Sequence, residues 1–164
     1  MNSPSSNTAS RGAPNTRLYL RETELDEGAA LLRAAFRKLC ACAQSAAGDT
    51  GLLDAELDIL IELSDLEGCD VTTLRDRLET PKQSLARNLN NLETKGLIAR
   101  RKCDRDGRRR LLALTQEGRT IAQKAADGWR NLLAEAFRMA GPDDVLSARR
   151  LLTFVAEAAG SESA

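Results

Sequence analysis

Between residues 23 and 47 the apolar side chains Leu25, Ala29, Leu32, Phe36 and Leu39 recur at steps of three and four. That spacing lines up one face of an α-helix. The loop SAAGDTG follows. A second helix is predicted from Asp54 to Leu66, with Asp54 as N-cap and Leu57, Leu60, Ile61 and Ser64 along one side. EGCD breaks it, and Asp70 is placed to cap a short third helix, VTTLRDRLE, that buries Val71, Leu74 and Leu78. In the next segment Thr80, Pro81 and Gln83 fit an N-cap, a proline in the first helical position and a capping box. Leu85, Leu89 and Leu92 supply the buried face of this fourth helix, Lys82, Ser84, Arg87, Asn88 and Asn91 the other sides, and Gly96 the stop. A short helix, a turn of three or four residues and a longer capped helix form a helix-turn-helix.

Past Gly96, LIARRK and RRLLALT are two short strand candidates, and Asp106-Gly107 between them is a strong hairpin signal. Ile98, Leu112 and Leu114 would pin the hairpin to the core and leave arginines at its tip. Helical spacing then returns with Ile121, Ala125, Trp129, Leu132 and Ala136, stops at Ala140-Gly141-Pro142-Asp143, and resumes from about Asp144 to Ala158. A helix-turn-helix followed by a hairpin is a winged helix. The expected fold is mainly α with one small β-hairpin.

Composition narrows the function. Aromatic residues make up 3% of the chain, so Leu and Ala must build the core. No apolar run approaches the ~20 residues that span a bilayer, and MNSPSSNTASRGAPN lacks the apolar centre of a secretory signal. No membrane association and a cytoplasmic location are expected. Histidine is absent, and Cys40, Cys42, Cys69 and Cys103 form no C-x-x-C pair. With neither the commonest general base nor the usual zinc ligands, no catalysis, metal or cofactor is expected. In a reducing compartment the cysteines read as free thiols. Net charge is zero, 24 basic against 24 acidic residues, but ten basic and only three acidic residues fall between Pro81 and Arg110. A basic lobe on an otherwise acidic protein points to nucleic acid.

The segment SLARNLNNLETKGLIARRKCDRDGRRRLLALTQEG resembles the MarR family of bacterial winged-helix transcription regulators. The resemblance rests on Leu92-Glu93-Thr94-Lys95-Gly96-Leu97-Ile98 at the end of the recognition helix, Asp106-Gly107-Arg108 in the wing, and Leu114-Thr115-Gln116-Glu117-Gly118 at the start of the next helix. It extends over roughly Thr23 to Ala159, and LYLRETELDEG and PKQSLAR are similar to the PetP-like branch of the family. The family implies an obligate homodimer with interlocked first, fifth and sixth helices and a palindromic operator. The apolar residues agree with a dimer, since Leu132, Leu133, Phe137, Leu151, Leu152 and Phe154 lack an obvious place in a small winged-helix core. The corresponding division is a flexible tail (1–16), a dimerisation helix and loop (17–52), a winged helix-turn-helix lobe (53–115) and C-terminal dimerisation helices (116–164).

Residue by residue, the resemblance puts Lys82, Gln83, Ser84, Arg87 and Asn88 in the major groove of double-stranded DNA, with Arg87 as the foremost base reader. The alternatives are that Gln83 serves its own capping box and that Asn88 is only solvated. In the wing, Arg108 would enter the minor groove and Asp106 would hold its guanidinium or fix the turn. Arg105, Arg109 and Arg110 would touch phosphate or be merely solvated. A small-molecule effector site would draw on Arg33, Phe36, Arg37, Leu39, Leu57 and Ile61, residues that equally suit core or surface. Cys40 and Cys103 are the candidate redox thiols. Family members that sense peroxide carry the thiol near the start of the first helix, whereas Cys40 falls towards its end and the small buried role competes. The resulting reading is a DNA-binding repressor that acts as a homodimer on a palindromic operator and is released by a small-molecule or redox signal. The alternative is a winged-helix interaction module that docks an acidic protein partner.

Overall fold

The computed structural model describes residues 20–66, 68–102 and 110–158. The tail 1–16 and the candidate residues Cys103, Arg105, Asp106, Arg108 and Arg109 lie outside this range. Its elements run α1 (Glu22–Ala47), α2 (Asp54–Asp65), α3 (Val71–Leu78), α4 (Lys82–Thr94), β1 (Ile98–Lys102), β2 (Arg110–Leu114), α5 (Gln116–Ala140) and α6 (Pro142–Ala158). The order and type of every expected element are as the hydrophobic pattern indicates. The chain divides into two compact units, residues 1–37 and 38–164. In the first, the α1 side chains Leu25, Leu31, Leu32 and Phe36 are exposed.

The second unit holds the core. Helix α2 is its centre: Leu57, Ile59, Leu60, Ile61 and Leu63 are all buried, on more than one side of the helix. The expected single stripe was too narrow, and Ser64, assigned to it, is exposed. The greater width follows from position, for α2 is in contact with α3, α4, β2 and α5, and a helix surrounded by partners is apolar on most sides; the exposure of Ser64 has no such explanation. Its N-cap is Leu53 rather than Asp54. Asp54 instead accepts a hydrogen bond from Gln44 Nε2 at 2.8 Å, tying it to α1. Asp70 caps α3 as expected, accepting from the Thr73 amide at 2.9 Å.

Strands β1 and β2 pair antiparallel, from Ile98↔Leu114 to Lys102↔Arg110. Ile98, Leu112 and Leu114 are buried and pin the hairpin to the core. The sequence did not announce the far side of β2, where Cys69 forms an isolated bridge with Leu112 through N–H···O bonds of 3.3 and 2.8 Å. One bridging residue is too short to leave an alternating pattern.

The Leu-Thr-x-x-Gly sequence has a direct physical reading. Thr115 caps α5, its hydroxyl accepting from the Gly118 amide at 3.1 Å and donating to the Leu97 carbonyl at 3.1 Å. A Cβ on Gly118 would stand 2.0 Å from that same carbonyl oxygen. Further along α5, Gly128 approaches α1 so closely that a Cβ would lie 2.5 Å from the Cys42 carbonyl oxygen, and Trp129 Nε1 donates to the Leu39 carbonyl at 3.0 Å. Helix α6 begins at Pro142, two residues before the expected start; proline suits a first turn, and Asp143 and Asp144 favour the positive end of the helix dipole.

Candidate nucleic-acid interface

Helix α4 is separated from α3 by Glu79, Thr80 and Pro81, a turn of the length expected for a helix-turn-helix. Glu79 makes the turn in the left-handed region, at φ 47°. Leu85, Leu89 and Leu92 are almost wholly buried and fix which side of α4 faces the core. The helix ends in a Schellman motif: Gly96 N bonds to the Glu93 carbonyl, and Leu97 N to the Leu92 carbonyl, each at 2.9 Å. Gly96 supplies the positive φ of 71° that this closure needs.

The expected capping box is not formed. Pro81 is the N-cap, with no side-chain cap, and the Thr80 hydroxyl donates to the Leu78 carbonyl at 2.9 Å instead. Gln83 is exposed beside Lys82, Ser84 and Arg87, while Asn88 is half-buried. The five recognition-helix candidates thus occupy the first two turns of α4, away from its leucines.

The neighbouring charges differ in how they are held. Arg100 of β1 is tied to Glu93 of α4, with Nε 2.5 Å from Oε1, and Arg75 pairs with Asp76. Lys95 points its Nζ at the Thr50 and Gly51 carbonyls, at 3.3 and 3.4 Å. Lys82, Arg87, Arg101 and Arg110 carry no ion-pair partner among the described residues. Arg110, at the end of β2, is exposed. These four cations stand on α4 and on the strands leading to the wing, where a polyanion can neutralise them.

Of the effector-site candidates, Leu57 and Ile61 are buried in the core. Arg33, Phe36 and Arg37 are exposed on the part of α1 that belongs to the first unit, and Leu39 is half-buried in the second. Cys40, Cys42 and Cys69 are free thiols. Burial, reinforced by the carboxylates of Asp54 and Asp58, pushes the Cys40 thiol above the usual cysteine value. Burial likewise raises Cys69, a small core residue under the hairpin. No helix among the described residues is long and apolar enough to cross a membrane.

Sequence reasoning missed Glu56. Its side chain is 1% exposed, and it accepts hydrogen bonds from the Leu53 amide at 2.9 Å and from Asn91 Nδ2 at 2.5 Å. The available signal was the absence of a capping side chain at Leu53 three residues before a glutamate, half of a capping box.

Comparison with known proteins agrees with this architecture. The sequence profile of the MarR family matches residues 50–109. The HTH-type transcriptional regulator PetP of Rhodobacter capsulatus is 32% identical over 146 residues, 88% of each chain. Among solved structures, a mutant MarR from E. coli, complexed with operator DNA, superposes with a TM-score of 0.65 at 21% identity, covering 84% of this chain and 97% of that one. BpsR of Bordetella bronchiseptica, whose DNA binding is regulated by 6-hydroxynicotinic acid, gives 0.61 at 21% identity, covering 78% and 91%. Extended similarity to PetP, the family profile over the lobe and the winged-helix fold agree: the chain belongs to the MarR family of transcription regulators.

Proposed function

We propose that this protein is a repressor that binds a palindromic operator as a homodimer, with α4 in the major groove. The observation that carries this is the set of exposed side chains Lys82, Gln83, Ser84 and Arg87, without ion-pair or side-chain hydrogen-bond partners among the described residues, on a helix whose three leucines are buried. Arg87 reads guanine in bidentate fashion, Gln83 is free to take adenine, and Lys82 and Arg110 hold phosphate. Arg108 takes the minor groove, by the family's Asp-x-Arg pattern at Asp106-Gly107-Arg108.

The homodimer is supported by apolar surface that the chain leaves uncovered. Leu133 of α5 and Leu146, Leu151, Leu152, Phe154 and Val155 of α6 are all exposed. So much apolar surface on two adjacent helices calls for a partner of the same kind. A second copy places two recognition helices about one DNA turn apart, hence the palindrome. A small molecule is the release signal we favour over oxidation of Cys40, because a thiol held above its usual value is a poor nucleophile at neutral pH. The regulation of BpsR by 6-hydroxynicotinic acid gives a precedent on this fold.

The test is fluorescence anisotropy with duplex from upstream of the protein's own gene, against a scrambled duplex, at several salt concentrations. The expected preference is about 10³-fold or more, with affinity falling as salt rises. Equal weak binding to both at every salt concentration, with no operator recoverable from random-sequence DNA, would reject this reading for that of a lobe docking an acidic protein.

A further inference from the structure

Glu56 is the one charged side chain fully buried among the described residues. A buried carboxylate is costly unless its oxygens are bonded, and here each oxygen has a separate task. Oε2 accepts from the Leu53 amide at the start of α2, and Oε1 accepts from Asn91 Nδ2 in the middle of α4. Asn91 lies three residues beyond Asn88 and four beyond Arg87, so the three are neighbours along one side of α4. Together with Leu53, Glu56 and Thr94 they line a groove of about 410 Å³. The segment that Glu56 holds is itself anchored: Gln44 of α1 donates to the Leu52 carbonyl at 3.0 Å and to Asp54 at 2.8 Å.

We propose that Glu56 is a positioning residue for sequence reading: by gripping Asn91 it sets the rotation of α4 about its own axis, and so the approach of Arg87 and Asn88 to the bases. The buried leucines of α4 hold the helix down by non-directional contact, which tolerates small rotations. The charge-assisted bond to Asn91 does not, because it fixes distance and direction. An apolar residue at position 56 would fill the space without this constraint. The proposal rests on the DNA-binding reading above.

The experiment uses the full chain, an operator selected by the wild-type protein from random-sequence DNA, and a scrambled duplex of equal length, at a temperature where circular dichroism shows each variant native. Asn91→Asp sets a second carboxylate against Glu56 and should lower discrimination between the two duplexes by about tenfold or more. Adding Glu56→Gln restores a donor–acceptor pair and the original net charge, and should recover most of the loss. Asn91→Ala, which removes only the donor, should lower discrimination while leaving affinity for scrambled DNA within about twofold. Wild-type discrimination in both single variants would overturn the proposal. A loss in Asn91→Asp that Glu56→Gln does not recover would also overturn it, since position 91 would then act on DNA directly. Failure of the wild-type protein to select any sequence would instead remove the DNA-binding reading, and the proposal with it.

Discussion

Helix α6 is richer in apolar residues than α4, yet α4 buries all three of its leucines whereas none of the described side chains of α6 is buried. Phe154 is 66% exposed and Leu151 59%, against 1% for Leu85 and Leu89. The two helices differ in what the single chain can offer them. Helix α4 packs on α2 and β1, so one chain satisfies its apolar side and leaves the polar side free to meet something else. Helix α6 has as its main neighbour only α5, whose own C-terminal half is largely exposed. The lobe is complete as a monomer, and its spare surface is polar and cationic. The helical end is incomplete, and its spare surface is apolar. On the proposed function, recognition of DNA and recognition of a second copy would be separated in the molecule, so that variants could address either without the other.

The largest effect should come from Gly118→Ala in the complete lobe. The added methyl group would meet backbone, the Leu97 carbonyl, at 2.0 Å, and no flexible side chain can yield. A loss of about 3 kcal/mol or more is expected, at the upper end of overpacking costs, measured by urea unfolding. A loss below about 1 kcal/mol, the lower end of those costs, would show that the contact between α5 and Leu97, the residue leading into β1, is loose. On the incomplete end, Leu152→Glu should leave the secondary structure unchanged but weaken self-association. Burial of one leucine contributes roughly 1.5–3 kcal/mol, and a two-fold interface counts it twice. Dimer dissociation should therefore rise by about 10² or more in sedimentation equilibrium. An unaltered constant would remove α6 from the interface.

Arg87→Ala and Arg108→Ala should do the reverse, leaving the dimer intact and weakening operator binding. For Arg87, loss of a bidentate base contact corresponds to about 1–3 kcal/mol and relaxed preference at one base pair. A uniform loss on operator and scrambled DNA alike would reassign Arg87 to phosphate. For Arg108, unchanged operator affinity at physiological salt would remove it from the wing contact.

Most of the fold was legible because each element carries its own local signal. The leucine spacing of α4, the Asp70 cap and Gly96 as the helix stop all act over a few residues. What escaped depends on contacts distant in sequence. The single stripe on α2 omits the buried Ile59 and Leu63, because the helix is enclosed by four elements that the spacing does not reveal. The Cys69 bridge to Leu112 spans 43 positions and the Glu56–Asn91 bond 35. The capping box at Thr80 failed for a local reason of another kind: Pro81 itself takes the cap position, and the Thr80 hydroxyl turns back to Leu78. Candidate DNA contacts were legible as residue types on a face, since Lys, Gln and Arg stood out against the leucine stripe. The brace beneath them was not, because a glutamate in the capping-box position signals a bond to the Leu53 amide but not the one to Asn91, 35 positions away.

The smallest effect concerns the turn that joins the two helices of the reading head. Glu79 sits at φ 47° and ψ 33°, the left-handed region, and is the only described residue other than glycine with positive φ. Occupying that region costs a residue with a Cβ about 1 kcal/mol or more. Glycine lacks that penalty, though it gives up entropy in the unfolded chain. Glu79→Gly should therefore stabilise the lobe by about 0.5–1 kcal/mol in urea unfolding, with no change in dimerisation. Its effect on DNA binding separates two views of the lobe. If the turn only connects α3 to α4, operator discrimination stays as it is. If discrimination falls although stability rises, then the restricted backbone at Glu79 helps to hold the angle of α4, in the same sense as the bond from Glu56 on its other side.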